Sequence, residues 1–179
     1  MPIVLNGSGT VSGISAGGLP DGIIQAADLA SGVGGKTLQV VQATKTDGAS
    51  SSVASGGAWL PTTPKCSITP SNASNKILVQ ATVVAALSTN AHGMYLQILK
   101  DGSPIFRGDQ DGSNMQRVTT GTYSHNDYNF GHLNFNYLDT AGGTSAIEYS
   151  LELRHDSGSS STIYLNRTAI YYHRSEIPK

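Results

Sequence analysis

The sequence is poor in charge: only 13% of its 179 residues are Asp, Glu, Lys or Arg, and 11 basic residues against 12 acidic ones leave a formal net charge of -1. Near-neutrality removes the cationic field that nucleic-acid binding at physiological salt requires, and with it any polybasic surface for anionic lipid. Cysteine occurs once, at Cys66, so no disulfide can form within the chain and the fold rests on packing or on neighbouring chains. No apolar run approaches the roughly 18 residues of a spanning helix. The opening, MPIVLNGSG, lacks the basic flank and apolar length of a signal peptide. These absences predict a soluble chain, not exported by that route, with no nucleic-acid partner and no membrane insertion. Aromatic rings are also missing from the first 58 residues: the first is Trp59, and all five histidines lie at or after His92.

What is abundant is small and polar. Gly, Ser, Thr and Asn together make 69 of the 179 residues, the composition of a turn-rich chain. Residues 1–35 hold nine glycines, and their only charges are Asp21 and Asp28. Such a segment has too few large side chains to build a core and must lie on something else. The sequence therefore predicts an N-terminal attachment arm over 1–35 and a folded domain over 36–179. Within the arm, Leu19–Ala30 predicts about two turns of helix, with Asp21 accepting from free amides of the first turn. After Lys36, TLQVVQAT reads as strand, and DGASSSVASGG as a spacer before Trp59.

From Trp59 onward the pattern is a succession of strands. Lys76–Leu87 is apolar on both parities, as expected if one face packs on a sheet and the other on a second subunit; Val83 is therefore a candidate subunit-interface residue. Asp101 and Gly102, between MYLQIL and PIFR, predict a hairpin over 94–107. Ile147, Tyr149, Leu151 and Leu153 alternate with Glu148, Ser150, Glu152 and Arg154, a strand with one wet face. Residues 129–139, 162–167 and 169–174 supply three more strands, and Tyr171 and Tyr172 in the last are further interface candidates. Eight or nine short strands with Gly/Asn/Ser turns predict an all-β protein: an antiparallel jelly-roll-like β-sandwich preceded by an extended Gly-rich arm.

Motifs for catalysis fail on context. Ala30–Thr37, ASGVGGKT, satisfies a relaxed phosphate-loop pattern, yet the strand before it and the helix after it that the chemistry needs are lacking. Gly13–Gly17, GISAG, imitates a nucleophile elbow around Ser15 without the preceding hydrophobic strand. His92, His125, His132, His155 and His173 show no zinc-ligand spacing. His132 falls on the outward parity of its strand. Arg107–Asp109 spells an integrin-type tripeptide, which three residues are too few to support, and Asn6, Asn72 and Asn166 stand in glycosylation sequons that need a secretory route. A carbohydrate-cleaving site would need two carboxylates across a groove; Asp109, Asp111 and Asp127 are loop acids with no spacing that sets such a pair. The sequence thus predicts no enzyme, no cofactor and no metal. The loop 108–129 is different in kind. Tyr123, His125, Asn126, Asp127 and Tyr128 bring aromatic faces and short polar groups together, the chemistry that glycan or protein recognition uses.

Two strings carry a family resemblance. VLNGSGTVSGISAGGLPDGIIQAADLASGVGGKTLQVVQ (Val4–Gln42) resembles the opening of structural and tail-fibre-like proteins of bacteriophages, notably marine and cyanobacterial ones. CSITPSNASNKILVQATV (Cys66–Val83), NYLDTAGGTSAIEYSLELR (Asn136–Arg154) and STIYLNR (Ser161–Arg167) resemble the C-terminal fibre domain of the same proteins. The resemblance implies a virion component, exposed on the particle after assembly in the host cytoplasm. It also implies a homotrimer with a C-terminal sandwich like that of tumour necrosis factor, and an arm that binds phage tail or capsid proteins. Two departures stand out: Asn166 and Arg167 run almost directly into AIYYHRSEI where a longer loop is usual, and the chain is short for a tail fibre. Two roles follow as expectations: a tail-attached fibre or spike that recognises a host-surface glycan or protein, or a capsid-decorating or head-fibre protein with no receptor role.

Overall fold

The computed structural model describes residues 4–5, 11–12, 37–55, 58–89, 91–109, 112, 117–124 and 130–169. The expected helix over Leu19–Ala30, the interface candidates Tyr171 and Tyr172, and the loop residues His125, Asn126, Asp127 and Tyr128 lie outside them. The chain divides into two compact units, Met1–Val40 and Val41–Lys179. In the first, β1 (Val4–Leu5) pairs antiparallel with β2 (Val11–Ser12).

The second unit is all-β. Its strands are β3 (Ala49–Val53), β4 (Leu60–Ile68), β5 (Lys76–Leu87), β6 (His92–Lys100), β7 (Ser103–Ile105), β8 (Thr120–Ser124), β9 (Phe130–Thr140), β10 (Ile147–His155) and β11 (Ser161–Leu165). They form two antiparallel sheets. One has the order β3-β11-β5-β9; the other has β4-β10-β6, with β7 and β8 both pairing β6. The chain changes sheet at nearly every connection, so that strands remote in sequence become neighbours, and this order is that of a jelly roll. The expected all-β antiparallel sandwich is what the chain forms.

Alternation explains which side chains meet in the middle. On β5 the odd residues Ile77, Val79, Ala81, Val83, Ala85 and Leu87 point inward, and on β9 Leu133, Phe135 and Tyr137 do the same. They meet Met94, Leu96 and Ile98 of β6 and Ile147, Tyr149 and Leu153 of β10 from the facing sheet, in one continuous core. Val83 thus packs against the core of its own sandwich, while Thr82 and Val84 occupy the outer face that an interface would use.

The β6–β7 hairpin forms where the sequence places it. Asp101 (φ 50°) and Gly102 (φ 77°) both take the left-handed conformation that a tight two-residue turn needs. Asp101 Oδ1 also accepts from the Glu148 amide at 2.8 Å, pinning the turn to β10.

Two expectations need correction. TLQVVQAT is not a strand; the strand is ASSSV, which had read as spacer. Five backbone pairs to β11 hold β3 and need little from its side chains, whereas β-propensity without a pairing partner forms nothing. The outward face of β10 is also drier than its alternation suggests, because Arg154 lies 9% exposed and its neighbour Gln97 2%. Trp59 covers the first, its ring 5.4 Å from the guanidinium carbon, and Arg107 reaches over the second to donate to Oε1.

Candidate functional site

The outer face of the β4-β10-β6-β8 sheet carries the densest grouping of polar and aromatic side chains. Antiparallel pairing sets Tyr95 of β6 beside Arg154 of β10 and Gly121 of β8, with Gly93 opposite Tyr123. Both glycines leave room for the Tyr95 ring: a Cβ on Gly93 would stand 2.4 Å from its hydroxyl oxygen, and one on Gly121 2.9 Å from Cδ1. Laid flat in this way, Tyr95 donates its hydroxyl proton to Asp156 Oδ2 at 2.7 Å, while the Gly93 amide donates to Oδ1 at 2.8 Å. His92 Nδ1 lies 3.3 Å from the same Oδ1.

The electrostatics follow from these contacts. Burial, then the bond to Asp156, push the Tyr95 hydroxyl up to about 12. For Asp156 burial acts upward, but the donors Tyr95, Gly93 and His92 outweigh it and hold the carboxyl below its usual range. At neutral pH the cluster is a fixed carboxylate with a protonated tyrosine clamped on it. Beside it Tyr123, the residue before the end of β8, has half of its surface exposed. The result is a rigid aromatic and acidic platform at the root of the loop that continues from Ser124. It offers a ring for stacking and polar groups for hydrogen bonding.

A second buried polar group closes one end of the sandwich. Asp139 of β9 accepts from Tyr149 Oη at 2.6 Å and from Lys100 Nζ at 2.7 Å, and Lys100 also donates to the Thr140 carbonyl at 2.8 Å. It ties the two sheets together and is saturated by its own partners.

The outer face of the β3-β11-β5-β9 sheet has the opposite character. Register places Lys76, Leu78, Gln80, Thr82, Val84 and Ala86 opposite Thr140, Leu138, Asn136, Asn134, His132 and Phe130. Ser50, Ser52, Thr162 and Tyr164 continue the face across β3 and β11. Its formal charges among the described residues are two at its margins, Lys76, bonded to Thr140 Oγ1 at 2.7 Å, and Arg167, whose guanidinium carbon lies 4.6 Å from the Tyr164 ring centroid, and Leu78, Leu138 and Phe130 remain 59%, 60% and 50% exposed. His132 is on this outer face, as its parity indicates, and packs edge-on to Phe130 at 5.5 Å between centroids. Gln80 bonds to Asn136 at 2.7 Å in the middle of the face.

Of the five recognition candidates the described structure therefore places Tyr123, exposed and next to the Tyr95–Asp156 pair; the other four fall outside it. Sequence reasoning missed Tyr95, Asp156 and His92. Asp156 stands 61 residues from Tyr95 in the chain, and only the pairing register brings them together. The available signal was Gly93 and Gly121 inside strand-like runs, which mark a close approach of another group. Among the described residues no three His, Cys, Asp or Glu side chains come together as metal ligands.

Fold and surfaces define a class: an antiparallel jelly-roll sandwich with one nearly uncharged sheet face and one aromatic and acidic face. No family model matches the chain, and no curated protein matches it.

Proposed function

We propose that the chain is a structural protein of a bacteriophage particle, a homotrimeric fibre or spike attached through its N-terminal arm and displaying the sandwich for contact with the host surface. The observation that carries this reading is the outer face of the β3-β11-β5-β9 sheet. A four-stranded surface whose charges among the described residues are Lys76 at one margin and Arg167 stacked on Tyr164 at the other, with three large apolar side chains half or more exposed and an Asn/Gln/Thr ladder between them, has the charge depletion of a subunit interface. Burying it requires association, and the phage-fibre resemblance of Val4–Gln42 supplies the three-fold context. The platform of Tyr123, Tyr95 and Asp156 stays outward in such an assembly and suits a host-surface glycan, whose rings stack on aromatic faces while its hydroxyls bond to short polar groups. Three copies multiply a weak contact through avidity. The reading assigns the chain no reaction.

Sedimentation equilibrium tests the assembly: the wild-type chain is expected at three times its 18.6 kDa mass. Replacing Leu78 and Leu138 together by Lys, which places like charges directly opposite each other on that face, is expected to yield monomers with an unchanged far-UV spectrum. A trimer that survives both lysines would move the interface elsewhere. Recognition is tested by Tyr123→Ala, which removes the exposed ring without touching the core. The variant is expected to keep trimer mass and melting temperature and to lose adsorption to host cells at least tenfold. Normal adsorption would favour the capsid-decorating role.

A further inference from the structure

The outer edges of the two sheets are unequally protected. An open strand edge presents unpaired amides and carbonyls to any passing strand, and proteins blunt such edges with proline, lysine, bulges or brevity. The edge strand β4 carries Pro61, Pro64 and Lys65 and a register break opposite Tyr149–Leu151. The strand β7 has three residues, one of them Pro104, and β8 and β3 have five each. The remaining edge strand, β9, is different. It runs eleven residues in unbroken register with β5, contains neither Pro nor Lys, and has no strand on its other side among the described residues. Its single charge, Asp139, faces inward and is held by Lys100 and Tyr149.

The same chain carries a segment of strand-forming composition that pairs with no strand among the described residues. Leu38–Gln42, LQVVQ, is uncharged and rich in β-branched residues, yet it belongs to no strand. Leu38, Val40 and Val41 are 65%, 81% and 39% exposed. A segment of such propensity gains order from a strand edge that offers it main-chain partners.

We propose that Leu38–Gln42 of one copy adds as a further strand to the free edge of β9 in a neighbouring copy. Each satisfies what the other lacks. The segment gains a backbone ladder and the open edge is closed. Leu38 and Val40, on one parity, extend the apolar surface begun by Leu138 and Leu78. A donor and an acceptor on different parts of one chain make a head-to-tail contact, which closes into a ring of three when the rotation between copies is three-fold. This inference rests on the homotrimer proposed above and names the segment that locks it.

The test uses full-length chains in a Cys66→Ser background. One population carries Val40→Cys, and a second carries a single cysteine at Asn134, Asn136 or Leu138. After the two are co-refolded and oxidised, a disulfide between unlike chains is expected at one of the three positions, read as a dimer-sized band on a non-reducing gel. No crosslink at any position overturns the strand addition. In parallel, Val40→Pro removes one donor and bars the segment from a ladder without adding charge. It is expected to weaken the trimer, raising the protein concentration at which half of it dissociates by at least tenfold. A Val40→Pro trimer as tight as wild type, with no crosslink, refutes the strand addition and leaves the trimer intact. A monomeric wild type refutes the trimer itself.

Discussion

At the scale of single residues, Asp139 is one of the carboxyls, with Asp156, whose native contacts add stability against acid. Burial alone would raise its pKa, but donation from Lys100 and Tyr149 more than offsets this and holds the carboxyl below its usual range. The reciprocal effect is seen at Tyr149, where burial and then the bond to Asp139 push the phenol well above its ordinary value. A carboxyl with a folded pKa below its unfolded one adds stability that is fully present above about pH 4, the unfolded value. That stability is lost as pH falls through the folded value. Asp139→Asn keeps the shape but leaves Lys100 without its counter-ion, and is expected to cost about 2 kcal/mol in urea denaturation at neutral pH. The gap to wild type should narrow in the same experiment carried below pH 4. A gap that stays constant with pH would assign the loss to packing.

At the scale of elements, the β6–β7 hairpin organises one of the two sheets, since β6 is the strand to which β7, β8 and β10 all pair. Its turn depends on Gly102 at φ 77°, with open space where a Cβ would stand, so the constraint is conformational and not steric crowding. Gly102→Val puts a β-branched residue in the left-handed region and is expected to cost about 1–2 kcal/mol. Gly102→Asn should cost far less, because asparagine tolerates this conformation. Thermal melts of the two variants separate the readings: equal losses would show that side-chain bulk matters after all. The opposite kind of glycine is Gly131 in β9, where an added Cβ would come 2.3 Å from Thr122 Cγ2 of β8. There the crowding is real, at the corner where β8 passes over the start of β9.

At the scale of the whole molecule, the chain divides into two compact units, Met1–Val40 and Val41–Lys179. Residues 1–35 contain nine glycines, and the sandwich core is drawn from Val53 and residues beyond it. Deleting residues 2–36 is therefore expected to leave the melting temperature within a few degrees of wild type and the trimer mass intact, since the deletion spares Leu38–Gln42. Incorporation into particles should be lost. Calorimetry and immunogold labelling of particles check the two halves of this expectation. Particles still decorated by the shortened protein would place attachment in the sandwich.

The sequence by itself determined the fold class, because alternation is a local property. The alternation of Ile147–Leu153, the β-branched apolar run of Lys76–Leu87 and Asp101-Gly102 at a turn mark strands and a hairpin within a few residues of chain. Partner choice is not local. The covered Arg154 and Gln97, the saturated Asp139 and the Tyr95–Asp156 clamp arise from register between strands tens of residues apart, and no spacing along the chain encodes them. The exchange between TLQVVQAT and ASSSV has the same cause. Side-chain propensity is written in the sequence, but whether a strand forms depends on a backbone edge being available, and β11 offers its edge to Ala49–Val53. Which edges are filled, and which, like that of β9, carry no further strand among the described residues, is decided by the tertiary structure.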